Sequence, residues 1–235
     1  MKVLFDEYTW KARFFPCIIS AMPLFVLWFF LSDNIQVKAL GAYLLSLKFY
    51  GGVTISVVFL YFYAQVLRIT SKVIESKYFH EKMGFPTVYL MTYSDKTFSK
   101  NYKDKYRRLI KEQFNIELLD EIEEAADIVE ARKRLNEATQ LVKLKIKSGY
   151  LVLKQNMWYG FVRNLVGGAI YSMIFCIVNI GVGFIKHNNP LLIISSIVLL
   201  VVYAGVFFFR KKILVQNAEA YANQLIAEFM DSSMN

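Results

Sequence analysis

Four apolar runs, set in two pairs, dominate the pattern of hydrophobic and polar positions along this chain. Phe14 to Leu31 carries no charged side chain, and the stretch Leu40 to Leu67 is interrupted only by Lys48. After a long polar middle, Leu165 to Ile185 and Leu191 to Phe209 repeat the arrangement across the short turn Lys186-His187-Asn188-Asn189-Pro190. A hydrocarbon core of about 30 Å is crossed by roughly 20 apolar helical residues, so each run has transmembrane length. All of Leu40 to Leu67 would extend roughly 42 Å, which places the bilayer portion of the second run at 49–67. The pattern predicts an all-α membrane protein: four transmembrane helices at about 14–31, 49–67, 165–185 and 191–209. A mostly helical cytoplasmic domain, 68–164, is inserted between the second and third spans. Residues 1–67 and 165–209 then form two membrane hairpins, and 210–235 an amphipathic tail with a helix over Ala218 to Met230.

Inside the spans a few residues break the apolar pattern. Pro16 suits a helix start, whereas Pro23 lies mid-span and predicts a kink. Lys48 either snorkels to the interface or lines an anion-attracting outer vestibule. Gly51, Gly52, Gly167, Gly168, Gly181 and Gly183 allow close helix approach. Thr54, Ser56, Ser172 and Asn179 either bond across helix interfaces or line a conduit. Lys11, Arg13, Arg68, Lys72, Lys154, Arg163 and Arg210 to Lys212 fall on one side of the spans, against Lys38, Lys48 and Lys186 on the other. This asymmetry puts both termini and the middle domain in the cytoplasm.

The polar middle reads as several elements. The second span continues through Ile69, Val73 and Ile74 until Gly84 and Pro86 stop it. Ser99 to Phe114 is a basic helix, in which Lys100, Lys103, Lys105, Arg107, Arg108 and Lys111 interleave with Tyr102 and Tyr106. Cations interleaved with aromatics suit phosphate contact with base stacking, and equally a solvated face toward anionic headgroups. Leu118 to Ile146 reads as one long helix with acidic residues first and basic residues later, as the helix dipole favours. Lys143, Lys145 and Lys147 alternate with apolar residues, a pattern that also fits a short strand. Asn156 to Asn164 combines Trp158, Tyr159 and Phe161 with Arg163, an interfacial belt whose arginine suits phosphate, and Gly160 within it predicts a weak break.

Composition sharpens this picture. The chain is 56% hydrophobic, 16% aromatic and 20% charged, more apolar than the 45–50% or so of soluble domains. The net charge of +9 admits nucleic acid, but in a membrane protein it is met by anionic lipid. Cys17 and Cys176 both lie in apolar runs and imply no disulfide framework. There is no Walker A run, no dinucleotide fingerprint, no nucleophile elbow and no zinc-protease helix. His80 and His187 fall on opposite sides of the membrane, which excludes a histidine metal pair within one chain. Neither an enzyme nor a cofactor is expected, and a lipid-processing enzyme would lack a nucleophile or metal site.

Trp10-Lys11-Ala12-Arg13-Phe14-Phe15-Pro16, His80 with Gly84 and Pro86-Thr87, Ala131-Arg132 on the acidic helix, and Asn156-x-x-Tyr159-Gly160-x-x-Arg163-Asn164 carry a resemblance along most of the chain. It resembles four-span bacterial membrane effectors of antiphage defence, of the kind that serve the Hailong system. The resemblance implies a homo-oligomeric ion channel in the bacterial inner membrane. Such a channel is held closed by a nucleotide or oligonucleotide made by a partner nucleotidyltransferase, and opens on infection to depolarise the cell. The residues themselves offer Lys100, Lys103, Arg107, Arg108, Lys111 and Arg163 for the ligand, and Asn179, Ser172, Thr54, Ser56 and Lys48 for the pore or gate. The alternative is a non-conducting membrane anchor or scaffold that recruits a cytoplasmic partner.

Overall fold

The computed structural model describes residues 6–31, 48–81, 84–146, 149–185 and 189–232; within 48–81, side chains are described over 57–79. Lys48, Thr54 and Ser56 therefore have helical backbone, while their side chains, those of Gly51, Gly52 and His80, and the turns holding Lys38, Lys186 and His187 lie outside the described residues. All described regular structure is helical. In chain order it comprises Glu7–Thr9 (α1), a π-helical turn Trp10–Phe14, Phe15–Ser20 (α2), Met22–Leu31 (α3), Lys48–Glu81 (α4) and Pro86–Tyr89 (α5). Lys100–Phe114 (α6), Glu121–Ala126 (α7), Ile128–Lys145 (α8), Tyr150–Ile185 (α9), Pro190–Phe208 (α10) and Arg210–Asp231 (α11) follow. Three helical stretches are long and apolar enough to cross a membrane: Val57–Phe79, Tyr150–Ile185 and Pro190–Phe208. The pair Glu7–Ser20 and Met22–Leu31 passes the same test only when taken together, across a 43° bend.

The chain divides into two compact units, one of Met1–Ile74 with Gly160–Ile213, the other of Glu75–Tyr159 with Leu214–Asn235. In the first unit α9 packs through glycine. A Cβ on Gly167 would lie 2.9 Å from Ser71 N and 3.0 Å from Leu67 O, and one on Gly168 would lie 1.9 Å from Ser20 Oγ. Lipid tails are as apolar as leucine, so close backbone approach rather than hydrophobic exclusion supplies the packing energy. Gly183 likewise meets Ile193, but a Cβ on Gly181 would meet nothing within 4 Å, so that glycine makes no such contact here.

The bend in the first apolar run has a local cause. Pro23 has no N–H to give Ile19 O, four residues back, which keeps only a capping backbone N–H at the end of α2, and Leu24 N turns to Ala21 O at 2.9 Å, which frees Ser20 O. Side chains of α9 and α10 take these acceptors: Tyr203 Oη donates to Ile19 O at 2.5 Å and Ser172 Oγ to Ser20 O at 2.8 Å. Pro16 leaves Ala12 O in the same position, and Asn164 Nδ2 donates to it at 2.6 Å. An uncapped carbonyl in hydrocarbon costs several kcal/mol, so these bonds stabilise a shape that the prolines impose.

The second unit has an apolar core built around Met91, Tyr106, Ile110, Leu135, Leu225 and Phe229. Phe85 sits at ring-centroid distances of 5.0 Å from Phe79, 5.7 Å from Tyr159 and 6.3 Å from Tyr221. The turn into α5 needs Gly84, whose φ of +125° a side chain rarely adopts. Residues 214–230 of α11 bury Leu214, Ala218, Tyr221, Ala222, Leu225 and Phe229 within this unit.

Three local expectations are corrected. The stretch expected as one helix from Leu118 to Ile146 is two, because Asp127 leaves helical geometry (φ −138°, ψ 82°) and its carboxylate caps Val129 and Glu130 N–H. Lys143 to Lys147 does not form a strand as far as it is described: α8 runs on to Lys145, with Val142 and Ile146 buried four residues apart. Helical spacing overrides the two-residue alternation. Gly160 does not interrupt its helix either, since α9 is continuous from Tyr150 to Ile185. A Cβ there would lie 2.9 Å from that of Ala12, so the glycine serves close packing rather than a hinge.

Candidate functional sites

The basic helix α6 starts where Ser99 caps it, its side chain accepting from Tyr102 N, and ends at Asn115 in the left-handed conformation. Its buried residues are Lys103, Tyr106, Arg107 and Ile110, at the i, i+3, i+4, i+7 spacing of a core-facing stripe. Two of the expected ligand cations thus point inward. Arg107 Nη2 donates to Glu124 Oε2 at 2.8 Å, Nη1 to Met91 O at 2.9 Å and Nε to Leu119 O at 3.1 Å. Its guanidinium lies 3.9 Å from the Tyr93 ring centroid, and Glu124 Oε1 accepts from Tyr93 N at 2.6 Å. Lys103 Nζ donates to Thr92 O at 2.7 Å and also to Asp95 O. Burial lowers the Lys103 pKa below its ordinary value. Burial, followed by the hydrogen bond to Asp104, pushes the Tyr93 phenol up to about 12. Together these bonds strap residues 91–95 and the start of α7 to α6.

The remaining α6 cations face outward. Lys100 pairs with Glu121 and Lys111 with Glu117, each at 2.5 Å and solvent-exposed, and Arg108 is exposed. Positions 100, 108 and 111 fall within roughly 80° of arc on one helical flank. Exposed pairs of this kind are worth about 0–1 kcal/mol and exchange partners readily, so this flank can present positive charge to a phosphate. Arg163, half-buried on α9, belongs to the first unit. Beside the Arg107–Glu124 pair the second unit has a cavity of about 360 Å3 lined by Tyr93, Ser94, Glu121, Glu124, Ala125 and Ile128. Sequence reading missed it, because its walls come from two segments about 30 residues apart, joined by the buried Arg107–Glu124 pair and the Tyr93 N–H to Glu124 bond. The spacing of Tyr106 and Ile110 around Lys103 and Arg107 was the available signal.

In the first unit, Ser172 and Asn179 lie seven residues apart on one face of α9. Ser172 bonds Ser20 O, as described, and Asn179 Nδ2 donates to Pro23 O at 2.7 Å. Asn179 Oδ1, Ser20 Oγ and Ser196 Oγ are buried with no hydrogen-bond partner in the described chain. α9 and α10 meet where Gly183 approaches Ile193; about one turn further along each helix, Asn179 and Ser196 come to the same level. Among the described residues, no group of three or more His, Cys, Asp or Glu is placed to hold a metal ion.

These features define a class: among the described residues all regular structure is helical, and three long apolar helices compatible with multi-pass membrane insertion stand together with a polar helical unit. No protein-family model matches the chain, nor does any curated protein or solved structure show significant similarity to it.

Proposed function

We propose that the chain is an oligomeric pore-forming or ion-channel effector of the bacterial cytoplasmic membrane, with four spans and both termini inside. A nucleotide-type signal made by a partner nucleotidyltransferase gates it at the second unit, and its opening depolarises the cell in antiphage defence. One observation carries the conducting part: three oxygens, of Ser20, Asn179 and Ser196, are buried among apolar helices with no hydrogen-bond partner. A dry unpaired polar group is costly, so water entering along α2, α9 and α10 is the cheaper state. The resemblance to antiphage effectors supplies the class of signal, and the exposed flank of Lys100, Arg108 and Lys111 is where its phosphates would bind.

Purified full-length protein in planar bilayers is expected to carry ionic current. Asn179→Leu should reduce that current, with assembly size unchanged, by dewetting the passage. The Asn179 bond to Pro23 O favours a second reading, a non-conducting anchor or scaffold in which the amide only packs. Under that reading wild-type protein passes no current and Asn179→Leu lowers the amount of assembled protein.

A further inference from the structure

The second unit leaves apolar side chains uncovered at both ends of α8. At the start, Ile122 and Val129 are 81% and 73% exposed, and they neighbour residues that line the 360 Å3 cavity. The exposed carboxylates around it, Asp120, Glu123 and Asp127, accept from backbone N–H groups at the helix caps. In the last turn Leu144, and beyond it Tyr150 and Leu151 at the start of α9, are 69%, 73% and 52% exposed. Lys145, whose Nζ donates to the neutral Gln113 side chain at 2.5 Å, and Lys154 flank them, both exposed. Val129 and Leu144 lie roughly 22 Å apart along the helix axis.

One end of α8 therefore presents a hole with an apolar wall of Tyr93, Ala125 and Ile128 and carboxylates in its lining and at its rim, and the other an apolar ridge with basic flanks. We propose that the two meet between copies of this chain. Tyr150 and Leu151 of one copy enter the cavity walled by Tyr93, Ala125 and Ile128 of the next. Lys145 and Lys154 then face Asp120, Glu123 and Asp127. A cavity of this size takes an aromatic side chain and its neighbour, and opposite charge at the rim fixes orientation and suppresses wrong partners. Because hole and ridge are different surfaces, the contact is heterologous and repeats from copy to copy. Copies inserted in one bilayer with a common orientation are related by rotation about the membrane normal, and we take the contact to be one whose rotation closes into a ring. The ring rests on membrane insertion, not on conduction.

The test uses full-length protein in nanodiscs with Cys17 and Cys176 replaced by alanine. Ala125→Cys and Leu151→Cys chains, co-expressed and oxidised with copper phenanthroline, should cross-link to each other, and a chain carrying both changes should give a ladder of oligomers. Each single variant alone should stay monomeric on a denaturing gel. Ile122→Lys, at an exposed position that the fold tolerates, should weaken subunit association by about tenfold or more, and adding Lys154→Glu should restore it. Cross-linking of Ala125→Cys to itself, or none in the mixture, overturns the proposal. So does quenching of a fluorophore at Leu151→Cys by brominated lipid, which would place the ridge in the bilayer. Assembly is read here without current, so a non-conducting ring would refute the pore and leave this contact standing.

Discussion

Arg107 is held by Glu124, the carbonyls of Met91 and Leu119 and the Tyr93 ring, and this geometry sets what substitution there does. Removing one member of a buried ion pair leaves the other charge without its partner in low dielectric, at a cost of about 3–5 kcal/mol. Glu124→Ala is therefore expected to lower stability by that amount, read as denaturant unfolding of the detergent-solubilised protein by near-UV circular dichroism. The double variant Arg107→Met with Glu124→Leu should recover much of the loss, since neither member of the pair is then left buried without its partner; a double variant as unstable as Glu124→Ala would deny the pair this role. At this scale the sequence was half legible. A basic helix was evident from composition, but which of its cations turn inward depends on their register with Tyr106 and Ile110, and on a glutamate 17 residues away.

Elements were easier to find than to bound. Apolar length marked the long helices, because little else satisfies backbone groups in lipid. Their interruptions were harder, since they depend on single side chains such as the Asp127 carboxylate. The glycines were read together as packing positions, yet they differ. Gly167→Ala places a methyl against Ser71 N and Leu67 O, backbone atoms that cannot turn aside, whereas Gly181→Ala adds one into open space and gains up to about 1 kcal/mol of helix propensity. Thermal unfolding in detergent should show Gly167→Ala clearly destabilised and Gly181→Ala unchanged or slightly stabilised. Equal behaviour of the two would mean that α9 and α4 do not pack as described.

For the whole molecule, the excess of positive charge, +9, carries the ligand prediction. Replacing Lys100, Arg108 and Lys111 by glutamine spares the buried Lys103 and Arg107, so the second unit should stay folded. Binding of a fluorescent single-stranded oligonucleotide should weaken, and the dependence of affinity on salt should become shallower by about two to three phosphate contacts, since each neutralised phosphate releases counterion. Fluorescence anisotropy across a salt series checks it; an unchanged slope would return this flank to facing lipid headgroups. The three long apolar helices were legible because hydropathy is additive along the chain. That residues 214–230 complete the core of the second unit was not, because an amphipathic stripe does not say what it covers.

The proline-broken first run also bears on how the protein is made. Its freed carbonyls are capped by Ser172, 152 residues later than Ser20, and by Tyr203, 184 residues later than Ile19. At a synthesis rate of about 5–20 residues per second, roughly ten to thirty seconds pass before those hydroxyls exist. During that interval a nascent chain holds a helix that lipid alone cannot satisfy. Under the four-span arrangement proposed above, the first helix waits through that interval for the last pair, and a ribosome stalled before residue 172 would leave an orphan suited to quality-control proteolysis.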